Sequence, residues 1–227
     1  MTDLEMLRLH VEAGWYVRLP DLAPGDVECR PDSSAPPWKL YVARVGADEV
    51  RCWRTGLPEG ERAALVKMAY RALSLSPEVV AEPDVKREVA LRQVVPAVIT
   101  LQGASRVARR LGLEDRALVE AFEPGESGYY LDAPERAPVF GAFAGDRLAS
   151  VAHSSRRTAL ACELGVDTLA SARRQGFGLA VTVLWAAAVA AEGLEPIYSA
   201  RVDNTASLAL ARAAGYRAFA QAAYIHA

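Results

Sequence analysis

Apolar and polar positions alternate along the chain in patterns that predict both helices and strands. Apolar residues at helical spacing over residues 4–11 predict a first helix, and a second pattern of this kind follows Pro58. Between them, residues 38–45 alternate as a strand does, and residues 50–53 supply a hairpin partner. Residues 20–37 are rich in Pro, Asp, Ser and Gly, which predicts a loop. The first third of the chain is therefore predicted to mix helix and strand.

The remainder of the chain has a pattern of short strands interrupted by helices. The predicted strands cover residues 94–101, 139–144, 147–153, 161–168, 197–202 and 216–225. The predicted helices cover residues 105–111, 113–122, 179–191 and 204–213. Residues 124–138 are predicted to form a loop with a short extended piece at 129–131. The apolar run at 179–191 is shorter than the about 20 residues that a membrane span needs, so it predicts a helix buried on most of its faces.

One stretch between a predicted strand and this apolar helix has candidate chemistry. Residues 173–178 have the sequence Arg-Arg-Gln-Gly-Phe-Gly. Backbone N–H groups are free at a helix N-terminus, where the helix dipole is positive, so such a turn favours a phosphate. Gly176 and Gly178 lack a Cβ, which lets a ligand approach the main chain, and Arg173 and Arg174 add positive charge. The stretch therefore predicts a phosphate-binding turn.

Spacing separates the families that use such a turn. A P-loop needs a lysine directly after its second glycine, and none follows here. A dinucleotide fingerprint needs a third glycine three residues after Gly178, where this chain has Val181. The remaining pattern, Arg-x-x-Gly-x-Gly after a strand, resembles the coenzyme A pyrophosphate turn of the GNAT acetyltransferases.

A second element downstream strengthens this resemblance. Residues 203–208 read Asp-Asn-Thr-Ala-Ser-Leu, and residues 214–217 read Ala-Gly-Tyr-Arg. They resemble the GNAT element in which an asparagine is followed by Ala or Ser and a later Gly-Phe pair ends the helix. The resemblance implies that Asn204 binds the pantetheine arm, that Gly215 ends the helix and that Tyr216 packs an aromatic ring.

The resemblance implies an α/β (α+β) chain with the GNAT fold. In that fold a mostly antiparallel, twisted sheet contains one parallel strand pair that splays apart and admits the cofactor. The resemblance covers residues 86–227, which are predicted to form the acetyltransferase domain. Residues 1–85 are predicted to be an extra N-terminal α/β region, either a degenerate half or a cap.

The resemblance also implies a set of cofactor-binding residues. Val166 and Thr168 would pair with pantetheine through their backbones. The pyrophosphate would be held by consecutive residues of the turn, namely Arg173, Arg174, Gln175, Gly176, Phe177, Gly178, Leu179 and Ala180. Asn204 and Ser207 complete the set.

For catalysis the resemblance offers Glu163 and Ser207. In the histone-type branch of the family, a glutamate at nearly the place of Glu163 is the general base, although a structural ion pair is the competing interpretation. Many members have a tyrosine seven residues after the asparagine, where it protonates the leaving thiolate, but this chain has Ala211 there. Ser207 lies one helical turn after Asn204, so Ser207 or a bound water is the predicted substitute acid.

Composition and charge narrow the classes of function. The chain has 227 residues, of which 52% are hydrophobic, and its net charge of −2 gives no electrostatic case for nucleic acid or an anionic membrane. Cys29, Cys52 and Cys162 are odd in number and widely spaced, which argues against disulfides and a zinc site. The N-terminal residues do not resemble a signal peptide. We therefore expect a cytoplasmic protein without a metal.

The sequence as a whole predicts an N-acetyltransferase that uses acetyl-CoA. The acetyl group would pass to a primary amine of a small molecule or peptide by direct attack, in a ternary complex between the strands ending near Thr168 and Val202. The alternative, motivated by Ala211, is an acyl-CoA-binding sensor or regulatory module with impaired catalysis. A nicotinamide-binding domain is disfavoured by Val181.

The acceptor is left open by the sequence. A polyamine, an aminoglycoside, an amino acid and a protein N-terminus all fit. Residues 127–131 and the first 85 residues are predicted to supply the acceptor walls, and the protein is expected to be a monomer or a homodimer.

Overall fold

Tertiary contacts divide the chain into two compact units. The computed structural model describes residues 1–19, 23–31, 36–79 and 82–226. The first unit comprises Met1–Arg92, Tyr198–Leu208 and Arg217–Ala227, and the second unit comprises Gln93–Ile197 and Ala209–Tyr216. The division into domains at 1–85 and 86–227 stays a prediction.

Helices and strands alternate through the described residues. The α-helices are α1 (Asp3–Trp15), α2 (Glu59–Leu73), α3 (Leu101–Ala104), α4 (Arg116–Phe122), α5 (Ser127–Leu131), α6 (Phe177–Ala191) and α7 (Thr205–Ala213). The strands are β1 (Val17–Arg18), β2 (Gly25–Pro31), β3 (Trp38–Val45), β4 (Asp48–Arg54), β5 (Val85–Gln93), β6 (Ala108–Arg110), β7 (Phe140–Ala144), β8 (Arg147–Arg157), β9 (Ala161–Thr168), β10 (Glu195–Arg201) and β11 (Tyr216–His226). In this part of the chain, no helix combines the length and the apolar character needed to cross a membrane.

The first unit is built on a sheet with helix α1 against one face and helix α2 against the other. Its strand order is β1-β2-β4-β3-β11-β5-β10, and the last residues of β10, Tyr198–Arg201, pair with β5. Successive residues of a strand point to opposite faces. Tyr41 of β3 therefore lies in a cluster with Leu7 of α1, whereas Val42 lies in a cluster with Leu65 of α2. Burial on both faces explains why β3 is almost uniformly buried.

The second unit has the strand order β10-β9-β8-β7-β6. Helix α6 packs on one face of this sheet, where the indole nitrogen of Trp185 donates a hydrogen bond of 3.2 Å to Ser154 of β8. On the other face, Val151 of β8 packs with Val119 and Phe122 of α4. The predicted hairpin of β7 and β8, the strand β9 and the buried helix α6 are confirmed. Strand β9 therefore pairs with β8 and leads, through a short turn, into the N-terminus of helix α6.

Strands β9 and β10 form the parallel pair that the sequence predicts, but their pairing is short. Only Ala161–Glu163 pair with Glu195–Ile197. Beyond Glu163, β9 continues to Thr168 with β8 as its paired neighbour among the described residues. Along residues 164–168, one edge of β9 therefore has no paired strand among the described residues.

Residues 94–101 do not form the predicted strand. Strand β5 ends just before them, and the amides of Val94 and Val95 donate to the carbonyl oxygen of Gly215 at 3.1 and 3.3 Å. The amide of Val98 donates to Ala213 at 2.9 Å. Because these bonds take the donors that a strand ladder would use, the β-branched composition does not decide the structure here.

Three other predictions are wrong for comparable reasons. Residues 108–110, predicted as helix, form β6 because β7 offers an antiparallel partner. Residues 127–131 form helix α5, where a loop with an extended piece at 129–131 is predicted. Within the predicted loop at 20–37, residues 25–31 form β2 beside β4, while residues 20–22 and 32–35 lie outside the described residues. For β6 and β2, pairing with another strand outweighs the local composition, and for α5 a local helical turn does so.

The glycine that ends α7 gives a test of the second unit. Gly215 has a φ of 90°, and a Cβ built there would lie 2.1 Å from the carbonyl oxygen of Val95. Gly193, which follows α6, has a φ of 78° but nothing within 4 Å of such a Cβ. We predict that Gly193→Ala lowers the free energy of unfolding by about 1–2 kcal/mol, the cost of the left-handed backbone. Gly215→Ala should cost about 3 kcal/mol or more, because the backbone must also move. Equal losses in urea unfolding would contradict this contact.

Candidate active site

The phosphate turn predicted from the sequence joins β9 to α6. After Thr168 the chain makes a 3-10 turn at Ala170–Ala172, and α6 begins at Phe177. Gly176 stands at the N-cap with a φ of 87° and no side-chain cap, and Arg174 has a positive φ of 61°. A left-handed residue with a Cβ costs about 1–2 kcal/mol, so the surrounding structure has to hold this shape. Such backbone strain is a common feature of ligand-binding turns.

The turn presents hydrogen-bond donors without acceptors. In the described part of the chain, the amide groups of residues 174–179 have no acceptor, and the first bond of α6 runs from Ala180 to the carbonyl oxygen of Gly176 at 3.0 Å. Arg173 and Arg174 are exposed, and among the described residues neither has an acidic partner. Free donors, the positive end of the helix dipole and two cations together favour an anion with several oxygens.

The two glycines of the turn are favoured for different reasons. Gly176 needs its positive φ, although a Cβ there would meet nothing within 4 Å. At Gly178 space is tight, because a Cβ would lie 3.1 Å from Oγ1 of Thr168 and in ordinary contact with Oγ of Ser150, at 3.9 Å. These two hydroxyls are 2.7 Å apart, and Ser150 also donates to the carbonyl oxygen of Asp167 at 2.7 Å. The N-terminus of α6 is therefore fixed directly against the end of β9.

The other residues predicted to touch the cofactor differ in exposure. Gln175 is exposed and donates through Nε2 to the carbonyl oxygen of Ser171 at 3.0 Å. Phe177 and Leu179 are half-buried, and Ala180 is 1% exposed. The side chain of Ala180 is therefore closed to a ligand, and its amide already donates to the carbonyl oxygen of Gly176.

Asn204 caps helix α7 in the first unit. Its Oδ1 accepts the amide hydrogen of Ser207 at 3.0 Å, the bond expected of an N-cap asparagine. Its side-chain nitrogen donates to no acceptor in the described part of the chain. The cap and a ligand contact are therefore compatible, because they use different atoms of one amide.

Ser207 has a partner that the sequence does not reveal. The hydroxyl of Tyr198, on β10, lies 2.9 Å from Oγ of Ser207 and donates to the carbonyl oxygen of Ser207 at 3.2 Å. Burial raises the pKa of Tyr198, and the bond to Ser207 opposes that effect. Ala211, at the position where many relatives are expected to have a tyrosine, is 0% exposed. The hydroxyl of Ser207 is therefore paired with a tyrosine from strand β10.

Glu163 is buried and paired. Its side chain is 7% exposed, and Nη1 of Arg156 donates to its Oε2 at 2.7 Å. Ser155 donates to its backbone carbonyl oxygen at 3.1 Å. This geometry favours the interpretation of Glu163 as part of a structural ion pair. A general base needs access to the proton that it removes, and the side chain of Glu163 is buried.

Asp167 lies on the same face of β9 as Glu163 and is exposed. Its Oδ2 lies 3.4 Å from the hydroxyl of Tyr130, which donates a shorter bond of 2.7 Å to Glu123. Partial burial, followed by the charge of Glu123, raises the pKa of Asp167. A raised pKa on an accessible carboxylate is what a general base at neutral pH requires.

His153 of β8 covers the middle of β9. It is 3% exposed, and a Cβ on Gly165 would lie 2.3 Å from its Cε1. Its Nε2 lies 3.2 Å from the hydroxyl of Tyr129, and the rings of Tyr129 and Tyr130 contact it edge-on. Burial, and then the charge of Arg136, lowers the pKa of His153 to about 4. The imidazole is therefore neutral near pH 7 and acts through packing and hydrogen bonding.

Sequence reasoning missed Tyr198, and it missed the contacts of Tyr130 with Asp167 and of His153 with Tyr129. Their partners are far away in the chain, so no local motif signals them. Asp167 shares a face of the predicted strand 161–168 with Glu163, but the sequence has no signal for its exposure. Among the described residues, no group of acidic, His and Cys side chains is arranged to hold a metal ion.

The buried histidine gives a pH-dependent prediction. The pKa of His153 is about 4 in the folded state and near 6.5 when unfolded, so the folded state binds fewer protons between these values. Stability should therefore fall as the pH drops from about 6.5 to about 4, by roughly 3 kcal/mol from this residue alone. His153→Asn should be less stable at pH 7 but lose less on acidification.

Urea unfolding across a pH series measures this difference in slope. His226→Asn is the matched control, because that histidine lies near the end of β11 and is only half-buried. The control should keep the wild-type slope. A His153→Asn slope equal to that of the wild type would contradict the burial argument.

No protein-family model matches the chain, and no curated protein matches it significantly. Solved structures do resemble it. A candidate acetyltransferase of the GNAT family from Novosphingobium aromaticivorans is 23% identical and has a TM-score of 0.48, with 64% of this chain and 68% of that chain covered. A GCN5-related N-acetyltransferase-like protein from Streptococcus suis is 12% identical and has a TM-score of 0.49, with 93% and 83% covered.

An acetyltransferase of the GNAT family from Colwellia psychrerythraea reaches a TM-score of 0.50. It is 18% identical, and the match covers 69% of this chain and 60% of the length of that one. At this identity the likeness speaks for the fold alone, and it agrees with the parallel pair of β9 and β10 and the helix that follows β9. The chain therefore has the GNAT fold.

Proposed function

We propose that the chain is an N-acetyltransferase that binds acetyl-CoA through the turn between β9 and α6 and acetylates a primary amine. One observation supports this above the others. The amides of residues 174–179 have no acceptor in the described part of the chain and stand beside exposed Arg173 and Arg174. A diphosphate offers the oxygens that these donors lack, and a helix N-terminus favours its charge. The turn follows a strand in the fold that GNAT acetyltransferases share.

Strand β9 offers a place for the pantetheine arm. Its pairing with β10 ends at Glu163, so the backbone groups on that edge of residues 164–168 have no strand partner among the described residues. Val166 and Thr168 would pair with the amides of pantetheine, which meets the need of exposed strand edges for partners. For Asn204 and Ser207, the proposed contacts with pantetheine and with the region of the sulfur follow the resemblance alone.

Acetyl transfer to an amine requires little covalent chemistry from the protein. Holding two substrates in a reactive geometry can lower the barrier by about 7–11 kcal/mol. A backbone N–H of β9 would stabilise the developing negative charge on the thioester oxygen. Asp167 is the carboxylate best suited to take the proton from the amine, because it is exposed and its pKa is raised. Glu163 is the second candidate base, and its pair with Arg156 argues for a structural role.

A binding module without catalysis is the second candidate function. The buried Ala211, at the position of the usual tyrosine, favours it. Release of free thiol from acetyl-CoA in the presence of polyamines, aminoglycosides, amino acids and peptides distinguishes the two. An enzyme releases thiol with at least one amine, whereas a sensor binds acetyl-CoA and releases none.

The binding proposal predicts the effect of removing the two arginines. In isothermal titration, wild-type protein should bind acetyl-CoA, and Arg173→Ala/Arg174→Ala should bind about tenfold to a hundredfold more weakly, because two charge-assisted contacts with phosphate are lost. The matched control, Arg106→Ala/Arg110→Ala, removes two other exposed arginines of the second unit and should keep wild-type affinity. Wild-type protein that does not bind at millimolar acetyl-CoA would contradict the proposal.

The proposed base gives a prediction on rate. Once an acceptor is found, Asp167→Asn should lower kcat by about a hundredfold or more, the usual contribution of a positioned base. A base works when unprotonated, so the wild-type rate should rise with pH through the raised pKa of Asp167, and the variant should lose this rise. Glu163→Gln should instead lower stability, because it leaves Arg156 without its buried partner. A full rate in Asp167→Asn, with a loss in Glu163→Gln that stability does not explain, would reverse the assignment.

A further inference from the structure

Tyr130 of α5 lies between two carboxylates of the second unit. Its hydroxyl donates to Oε2 of Glu123 at 2.7 Å and lies 3.4 Å from Oδ2 of Asp167. Tyr130 is 3% exposed, whereas Glu123 is half-buried and Asp167 is exposed. The three side chains therefore form a row that leads from the accessible Asp167, through a buried phenol, to Glu123.

The number of hydrogens in this row determines which bonds can form. A phenol has one hydrogen and can also accept, whereas an ionised carboxylate can only accept. The bond of 2.7 Å assigns the hydrogen of Tyr130 to Glu123, because 3.4 Å is longer than an ordinary O–H···O bond. The phenol oxygen therefore turns its lone pairs to ionised Asp167. Once Asp167 holds a proton, it can donate to that oxygen, so its protonated form gains a hydrogen bond that its ionised form lacks.

The other groups around Asp167 do not offset this preference. Strand β8 places the apolar Val151 opposite Asp167. His153, two residues further along β8, packs on the ring of Tyr130 and is neutral near pH 7. Among the described residues, no lysine or arginine forms an ion pair with Asp167. Burial, and then the bond to Glu123, raises the pKa of Tyr130, so the phenol keeps its hydrogen.

We propose that Tyr130 and Glu123 are positioning residues that prepare Asp167 to take and hold the proton of the acceptor amine. Glu123 fixes the direction of the Tyr130 hydroxyl, and the phenol oxygen then offers an acceptor that Asp167 can use only after the proton has arrived. The inference rests on the proposed function and deepens it. All three residues belong to the second unit.

The proton leaves the amine in the step that forms the new amide. A bond forms between the amine nitrogen and the acetyl carbon, and the proton that the nitrogen loses passes to Oδ2 of Asp167. Protonated Asp167 donates to the oxygen of Tyr130, whose own hydrogen stays with Glu123. The carbon–sulfur bond breaks with its electron pair left on sulfur, and the thiolate takes a proton from solvent. Asp167, being exposed, returns its proton to solvent after the product leaves.

Carbon-13 NMR of the aspartate carboxyl groups tests the inference without acetyl-CoA or an acceptor. In the isotope-labelled full chain, Asp167→Asn identifies the Asp167 resonance by its loss, and a pH series then gives the pKa. The wild-type pKa of Asp167 should lie above the ordinary value of about 3.9. Tyr130→Phe keeps the ring that packs on His153 but removes the acceptor for protonated Asp167, so the pKa should fall. If Tyr130 instead donates to Asp167, the pKa will rise in this variant, which would overturn the inference.

Variants of Glu123 separate the direction of the hydroxyl from charge. Glu123→Asp keeps the negative charge but is one methylene shorter and should not reach Tyr130. The freed hydrogen can then turn to Asp167, whose pKa should fall toward about 3.9. Glu123→Gln, which removes the charge, should also lower it. The matched control, Glu135→Gln, removes an exposed carboxylate of the same unit and should leave the pKa unchanged.

Glu123→Asp also decides the inference if Tyr130→Phe does not fold. A pKa of Asp167 that stays at the wild-type value in Glu123→Asp would overturn the inference, because the charge alone would then explain the raised value. A fall in Glu123→Asp supports it, since the charge is retained and the hydrogen bond is not.

The same variants connect the row to the reaction. With a reactive acceptor, the rise of the rate with pH should move to lower pH in Tyr130→Phe and Glu123→Asp. Their kcat above that rise should fall by about threefold to tenfold, because a weaker base takes the proton less readily. A profile that does not move while the pKa of Asp167 does would overturn the role in catalysis. Wild-type protein that does not bind acetyl-CoA would overturn the proposed function together with this role, whereas intact binding with an unchanged pKa in both variants would overturn this inference alone.

Discussion

The candidate site depends on backbone donors at the start of α6 for which the described residues supply no acceptor. Two other helices have a side-chain cap: Thr2 accepts the amide hydrogen of Glu5 at the start of α1, and Asn204 accepts that of Ser207 at the start of α7. Helix α6 has Gly176 at this position, with no side-chain cap and no acidic residue in its first turn. A helix end without such partners calls for water or a ligand, and the positive end of the dipole selects an anion.

The surrounding structure keeps this donor set in place at some cost. Arg174 holds a left-handed backbone, and Gly178 packs so closely on Thr168 that even a methyl group would crowd it. Behind them, Ser150 and Thr168 share a part-buried hydroxyl pair that joins β8 to β9. The largely apolar, buried surface of helix α6, which includes the fully buried Trp185, stabilises the fold and offsets this strain. The body of the helix therefore contributes stability, whereas the free amides at its N-terminus remain available to bind a ligand.

The local sequence was enough to predict the strand, turn and helix around residue 176, because a buried strand, two glycines and an apolar run follow one another within a short stretch. The cap at Asn204 is likewise local. The pairs Tyr198 with Ser207 and Tyr130 with Asp167 could not be predicted, since each joins different elements and no pattern in one element records the other. Residues 94–101 are the reverse case, in which a local signal is present but misleads. Their β-branched composition predicts a strand, but amides of this segment donate hydrogen bonds to Gly215 instead.

The central claim is that the amides of residues 174–179 bind the diphosphate of coenzyme A, and backbone amide NMR tests it directly. In a titration of the isotope-labelled 24.4 kDa chain with coenzyme A, those amide resonances should show the largest shifts and saturate together. Inorganic diphosphate at higher concentration should shift the same resonances. Saturation by coenzyme A that leaves residues 174–179 unchanged, with shifts elsewhere in the chain, would contradict the account.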